Sequence, residues 1–197
     1  MEEASQRKRV MLKWAHKRMQ LDAPFRHGCA EKNGIQTTTG MGMENKMELQ
    51  KILEDFAREV LMTTCMTDET GADPECCFDR YPLCAAIRKN RTATTFVCSQ
   101  TNTAMLAVVR KTRKPEIDLC EAGMIRIVVP VLQDGKLKGQ VFACGLAAED
   151  EELDSFLLAK QLDLPEQEVL ELAKSTPFSS IEKLKEPVDR LFRILNP

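Results

Sequence analysis

The segment from Ile125 to Leu146 constrains the fold more than any other part of this 197-residue chain. Ile125–Leu132 is a β-branched apolar run, and Lys138–Leu146 returns as its partner strand. Between them, Gln133-Asp134-Gly135-Lys136 carries the Asp-Gly pair of type I′ hairpin turns, whose two central residues both need positive φ. Pro130 lies inside the first strand with no N–H to give to a ladder, so that strand is expected to be an edge or to be bulged there. Upstream, Glu116-Ile117-Asp118-Leu119-Cys120 alternates polar and apolar residues, as a half-buried strand does. The centre of the chain is therefore an antiparallel β unit.

Helical patterns flank it. Leu49, Ile52, Leu53, Phe56 and Val60 follow three-four spacing, and Val60–Met66 then reads as a strand entering the turn Asp68-Glu69-Thr70-Gly71. Cys76–Lys89 predicts a helix from Phe78, with Tyr81, Leu83, Cys84 and Ile87 on one face. Asn102–Arg113 predicts another, closed by the cations of Lys-Thr-Arg-Lys and stopped by Pro115. Glu149-Asp150-Glu151-Glu152 has the charge of a helix start, and Asp163-Leu164-Pro165-Glu166 resembles an N-cap, a first-turn proline and a capping-box acid. Ser179 with Glu182 repeats that signature before Ile181, Leu184, Val188, Leu191, Phe192 and Leu195, a helix that Pro187 is expected to kink or split. This apolar stripe suits a homodimer or partner interface and equally a cap on the sheet. The expected class is α+β: a mainly antiparallel sheet flanked by helices, with a helical C-terminal extension.

The 43% hydrophobic content is enough for a core, and the net charge of −2 disfavours a generally basic nucleic-acid binder. Charge is unevenly spread. Residues 1–42 hold eight basic residues against four acidic ones and end in a polar, glycine-containing run. They read as a basic, flexible extension with one short helix around Val10–Met19, either a solvated tail or an arm for nucleic acid or an acidic partner. Residues 43–197 form the folded domain. No run of eighteen apolar residues and no signal-like N-terminus is present, which points to a soluble, cytoplasmic protein with no membrane association.

Catalysis is poorly served. The two histidines, His16 and His27, both lie in the extension, so a cysteine nucleophile in the domain lacks the usual base. No Gly-x-Ser-x-Gly elbow and no glycine-rich strand-to-helix loop occurs, and an enzyme is not expected. The eight cysteines, Cys29, Cys65, Cys76, Cys77, Cys84, Cys98, Cys120 and Cys144, sit in a chain with no need of a disulfide framework, so reduced thiols are expected. No Cys-x-x-Cys pair provides zinc-ribbon spacing. Singly, each cysteine reads as a small apolar residue in a core or a pocket wall. The alternative is a redox or metal sensor, with Cys84, Cys98 and Cys120 holding an iron–sulfur cluster or haem.

Read in order, these elements resemble a known family. Tyr81-Pro82-Leu83-Cys84-Ala85-Ala86-Ile87-Arg88 followed by Cys98-Ser99-Gln100-Thr101-Asn102 looks like the opening of the PocR sensory domain. Asp118-Leu119-Cys120-Glu121-Ala122-Gly123-Met124 resembles its cysteine–x–x–glycine strand end, and Val128–Val141 its proline-bearing hairpin. The helices at Asp163–Leu172 and Ser180–Leu195 are similar to its C-terminal extension, so the likeness covers about residues 44–197. Thr101 and Glu121 stand where many members have a cysteine and a histidine. The resemblance implies a PAS-like sensor fold that recognises a small organic molecule such as a simple hydrocarbon derivative. It also implies a separate output partner, such as a histidine kinase or a transcriptional regulator.

The residues themselves suit a pocket with polarizable walls. Phe78, Tyr81, Cys84, Phe96, Cys98, Met105, Cys120 and Met124 are the candidate ligand-binding residues. Each also reads as ordinary core.

Overall fold

Asp134 and Gly135 adopt φ of +52° and +71°, the positive values a type I′ turn requires. They join β3 (Met124–Gln133) to β4 (Lys136–Ala148), with Gln133 opposite Lys136. This is a computed structural model; it describes residues 43–70 and 81–197. The expected extension over residues 1–42 with its short helix, and Cys76, Cys77 and Phe78, lie outside the described residues.

β4 pairs antiparallel with β3 on one side and with β1 (Thr63–Asp68) on the other, and β3 pairs antiparallel with β2 (Glu116–Leu119). The order is β1-β4-β3-β2, and a two-residue strand, β5 (Phe178–Ser179), adds in parallel to the end of β4. The fold is α+β, as expected.

Alternation along the hairpin gives the sheet two different faces. Ile125, Ile127, Val129, Val141 and Ala143 point to the face covered by α1 (Met43–Glu59) and by a helix at the chain's end. Leu53 and Phe56 meet them from α1. Each large aliphatic side chain buried here contributes about 1.5–3 kcal/mol. The second face carries Met124, Arg126, Val128, Phe142 and Cys144. Its cover begins with α2 (Pro82–Lys89) and a short turn, α3 (Arg91–Ala93), capped by the Asn90 side chain on Ala93 N–H at 3.0 Å. The helical backbone then widens into a π-helical segment, Thr94–Ser99, and continues as α4 (Gln100–Thr112). Two helices, α5 (Ser155–Leu162) and α6 (Glu166–Ala173), complete the cover.

Several helix boundaries differ from the sequence expectation. α2 starts at Pro82 and not at Phe78, because Tyr81 is extended (φ −121°, ψ 135°) and proline suits a first helical position. The acidic run 149–152 does not open a helix. Asp154 does, its carboxylate accepting the Leu157 N–H at 2.8 Å. Asp163 is not an N-cap either: it takes a left-handed conformation (φ +57°) that ends α5, and Pro165 precedes α6. Ser179 lies in β5, so Ser180 precedes the last helix, α7 (Ile181–Leu195). α7 runs unbroken past Pro187, with Leu184, Val188 and Leu191 buried against the sheet on either side of it. Its stripe is a cap on the sheet and not an open interface. Among the described residues no helix is long and apolar enough to cross a membrane.

Pro130 is tolerated for a local reason. β2 ends opposite Val128, so the far side of β3 has no strand partner at Pro130. Asn196 takes that place: its amide nitrogen donates to Pro130 O at 3.0 Å and to Phe192 O at 2.8 Å, and its Oδ1 accepts the Leu132 N–H at 2.6 Å. Replacing Asn196 with Ala removes all three bonds and should lower stability by about 1–3 kcal/mol. Urea unfolding would show this as a lower midpoint with an unchanged slope.

Candidate functional site

One glycine sets the geometry of the second sheet face. Ile125 pairs with Leu146 and Arg126 with Cys144, so Gly145 is the extra residue of a β-bulge. Its φ of +109° is one that L side chains rarely adopt. The bulge sets Arg126 directly across from Cys144, which faces Thr63 on its other side. Gly145 also admits the start of α2, since a Cβ there would lie 3.1 Å from Tyr81 Cδ2 and 3.6 Å from Cys84 Sγ. The Tyr81 hydroxyl donates to Leu61 O at 2.7 Å and ties this end of α2 to the approach to β1.

Four free thiols from four segments gather over this point: Cys84 of α2, Cys98 of the π-helical segment, Cys120 after β2, and Cys144 of β4. Cys84 is hydrogen-bonded to Cys144. Arg88, one helical turn after Cys84, brings Nη2 to 4.0 Å from Cys144 Sγ. Arg126 approaches from β3. Its side chain is only 6% exposed, and its Cζ lies 5.5 Å from the centre of the Phe142 ring.

The thiols divide into one anion and three neutral groups. The hydrogen bond from Cys84 holds Cys144 well below the ordinary thiol range, at about 5; burial opposes this, and the charges of Arg126 and Arg88 support it. Its partner moves the other way, as the same bond and then burial raise Cys84. Burial likewise raises Cys98 and Cys120, against the opposing charge of Arg126. Cys84, Cys98 and Cys120 thus keep their protons at neutral pH beside a Cys144 thiolate. Among the described residues no group of three or more His, Cys, Asp or Glu side chains is disposed to hold a metal ion.

Of the residues expected from sequence, Cys84, Cys98 and Cys120 meet here. Met124 packs in the same buried cluster as Cys84 and Cys120, and Phe96 is half-buried at that cluster's margin. Tyr81 supports Cys84 through its contact at Gly145. Met105 lies in a separate core cluster with Leu106, Val109, Val128 and Phe142. Phe78 falls outside the described residues. The sequence reading missed Cys144, Arg88 and Arg126. Two signals were present: Arg126 is a lone charge within a β-branched run, and Arg88 stands four residues after Cys84.

Two outcomes follow from this geometry. An unfolded cysteine titrates near ~8.5. Between that pH and about 5 the unfolded chain binds a proton at Cys144 that the folded chain does not, so this group makes stability rise with pH. Above ~8.5 the raised Cys84 keeps a proton that the unfolded chain has lost, and its contribution falls with pH. Melting temperatures from pH 5 to 8.5 should climb more steeply for the native chain than for Cys144→Ala. In Gly145→Ala, the added Cβ meets the Tyr81 ring in a left-handed backbone. That change should cost about 1–3 kcal/mol in chemical denaturation.

A family model described as the sensory domain found in PocR matches residues 44–197. No curated protein and no solved structure matches the chain. The matched span contains every residue that builds the thiol and arginine site, from Tyr81 to Gly145. The chain belongs to the PocR sensory-domain family.

Proposed function

We propose that this sensory domain binds a small organic molecule, a hydrocarbon derivative, on the sheet face around Arg126 and Cys144, and that it signals through a separate partner such as a histidine kinase or a transcriptional regulator. One observation carries the reading. Cys144 lies in the middle of the sheet, between Thr63 at 1% exposure and Arg126 at 6%, yet it is only half-buried, as is Cys98 above it. The cover over the sheet is thus incomplete at these thiols, and a small guest would take that place. The walls supply soft apolar contact and a few polar groups to orient it. A π-helical turn carries Cys98, and such turns recur at functional positions where a helix changes register. A guest seated against Cys98 would bias that turn and move α4 with it. Binding, and not chemistry, is the proposed role, since residues 43–197 contain no histidine base.

Thermal-shift screening over short alcohols, aldehydes and acids tests this, with native mass spectrometry to detect a co-purified guest. A ligand at a hundredfold its Kd adds about 2.7 kcal/mol, a rise of several degrees. If no compound raises the melting temperature and the protein carries no guest, the proposal fails.

The Cys84–Cys144 hydrogen bond favours a second reading, a peroxide-sensing thiol pair. Peroxide would oxidise the Cys144 thiolate to a sulfenic acid and release hydroxide. The Cys84 thiol would then displace water to form the disulfide. The expected sign is a loss of two mass units, reversed by a thiol reductant and absent in Cys84→Ser. An unchanged mass after peroxide would remove this reading.

A further inference from the structure

Among the described residues Arg126 is the one charged side chain buried on the sheet, and its surroundings are incomplete. Its Nε is buried and has no hydrogen-bond partner. The residue opposite it on β2 is Asp118, the natural counter-ion by register. That residue is exposed, however, and its Oδ1 accepts the N–H of Leu119 at 2.8 Å. Among the described residues no carboxylate forms an ion pair with Arg126. What stands by it instead are Cys144, directly opposite on β4, and the Phe142 ring, with the thiols of Cys98 and Cys120 within range of its charge.

A buried guanidinium is costly unless its charge and its donors are both matched. The Cys144 sulfur can supply negative charge, but it is a single acceptor atom and leaves the Nε donor unmet. Guanidinium presents a planar fork of donors, and the acceptor matching that fork is a carboxylate, with two parallel N–H···O bonds. Around the fork, the thiols of Cys98 and Cys120 and the Phe142 ring offer contacts for a short hydrocarbon portion, and the other cation of the site, Arg88, is already engaged with the Cys144 sulfur at 4.0 Å.

We infer that the guest is a small monocarboxylate, its carboxylate taken by the Arg126 fork and its short aliphatic part lying against the thiols and Phe142. This rests on the proposed small-molecule reading and narrows its ligand class. A primary alcohol of the same carbon skeleton would offer a single oxygen and leave the Nε–H without a second acceptor. An inorganic tetrahedral anion would match the charge but not the apolar wall.

The test uses the full 197-residue chain at constant ionic strength. Calorimetry and melting temperature are read with sodium acetate, propionate and butyrate, with ethanol, 1-propanol and 1-butanol, and with inorganic phosphate. The expected result is that at least one carboxylate binds at least tenfold more tightly than its matched alcohol and than phosphate. In Arg126→Gln that preference should collapse, with carboxylate affinity down tenfold or more. If the alcohols bind and the carboxylates do not, this inference is overturned while the sensing reading stands. If no probe binds, this inference is overturned, and the wider screen with the search for a co-purified guest decides the sensing reading. Carboxylate binding that is equal in the native chain and in Arg126→Gln would also overturn it, because the anion would then sit elsewhere. The comparison of acid with alcohol on the native chain needs no variant, so a poorly folding Arg126→Gln would not shield the idea.

Discussion

Burying one guanidinium on a sheet that holds no other buried charge among the described residues is the constraint around which the rest of this domain is arranged. Taking such a group out of water costs several kcal/mol unless its surroundings supply charge and acceptors. Here the surroundings are assembled by the bulge at Gly145, which turns β4 so that Cys144 comes level with Arg126. Phe142, two residues earlier on the same face, offers its ring to the cation. Cys144 remains ionised only because Cys84 donates to it and two arginines stand near it. Bulge, thiolate and cation therefore depend on one another, and none has a reason to persist alone.

The helical cover follows from the same constraint. α2 lies close enough to bring Cys84 onto Cys144 because position 145 has no side chain, and the Tyr81 hydroxyl anchors its start to Leu61 O. Arg88 then reaches the thiolate from one turn further along. Cys98 arrives from a π-helical segment and Cys120 from the turn where Gly123 N–H bonds back to Cys120 O at 2.8 Å. A site contributed by four separate segments couples them physically. The four segments that meet here all lie within the span matched by the sensory-domain family.

Much of the framework was legible because it rests on local chemistry. The Asp134-Gly135 turn, the β-branched strand before it and the amphipathic α1 all follow from propensity and period. Cys84, Cys98 and Cys120 were candidates because each lies in a stretch that resembles the family's motifs. Helix ends were less legible where one residue type serves opposite purposes. Asp163 closes a helix through a left-handed turn instead of opening one, and the acidic run at 149–152 mimics a helix start that Asp154 supplies. Pro187 lacks a donor in mid-helix, but burial of Leu184, Val188 and Leu191 outweighs that local defect.

By itself, then, the sequence determined an antiparallel hairpin with its turn, a helical tail, and a stock of thiols without a histidine base. These follow from dihedral preference, hydrophobic spacing and composition, which act over a few residues. Only the tertiary structure decided that Cys144 and Arg126 stand face to face. Strand register is a long-range property, and one inserted glycine at position 145 changes which side chains stand face to face. The same holds for Asp118, which register sets beside Arg126 but whose carboxylate is spent on the backbone of Leu119. Whether a buried charge finds its partner depends on atoms far apart in the chain, and no local pattern encodes that.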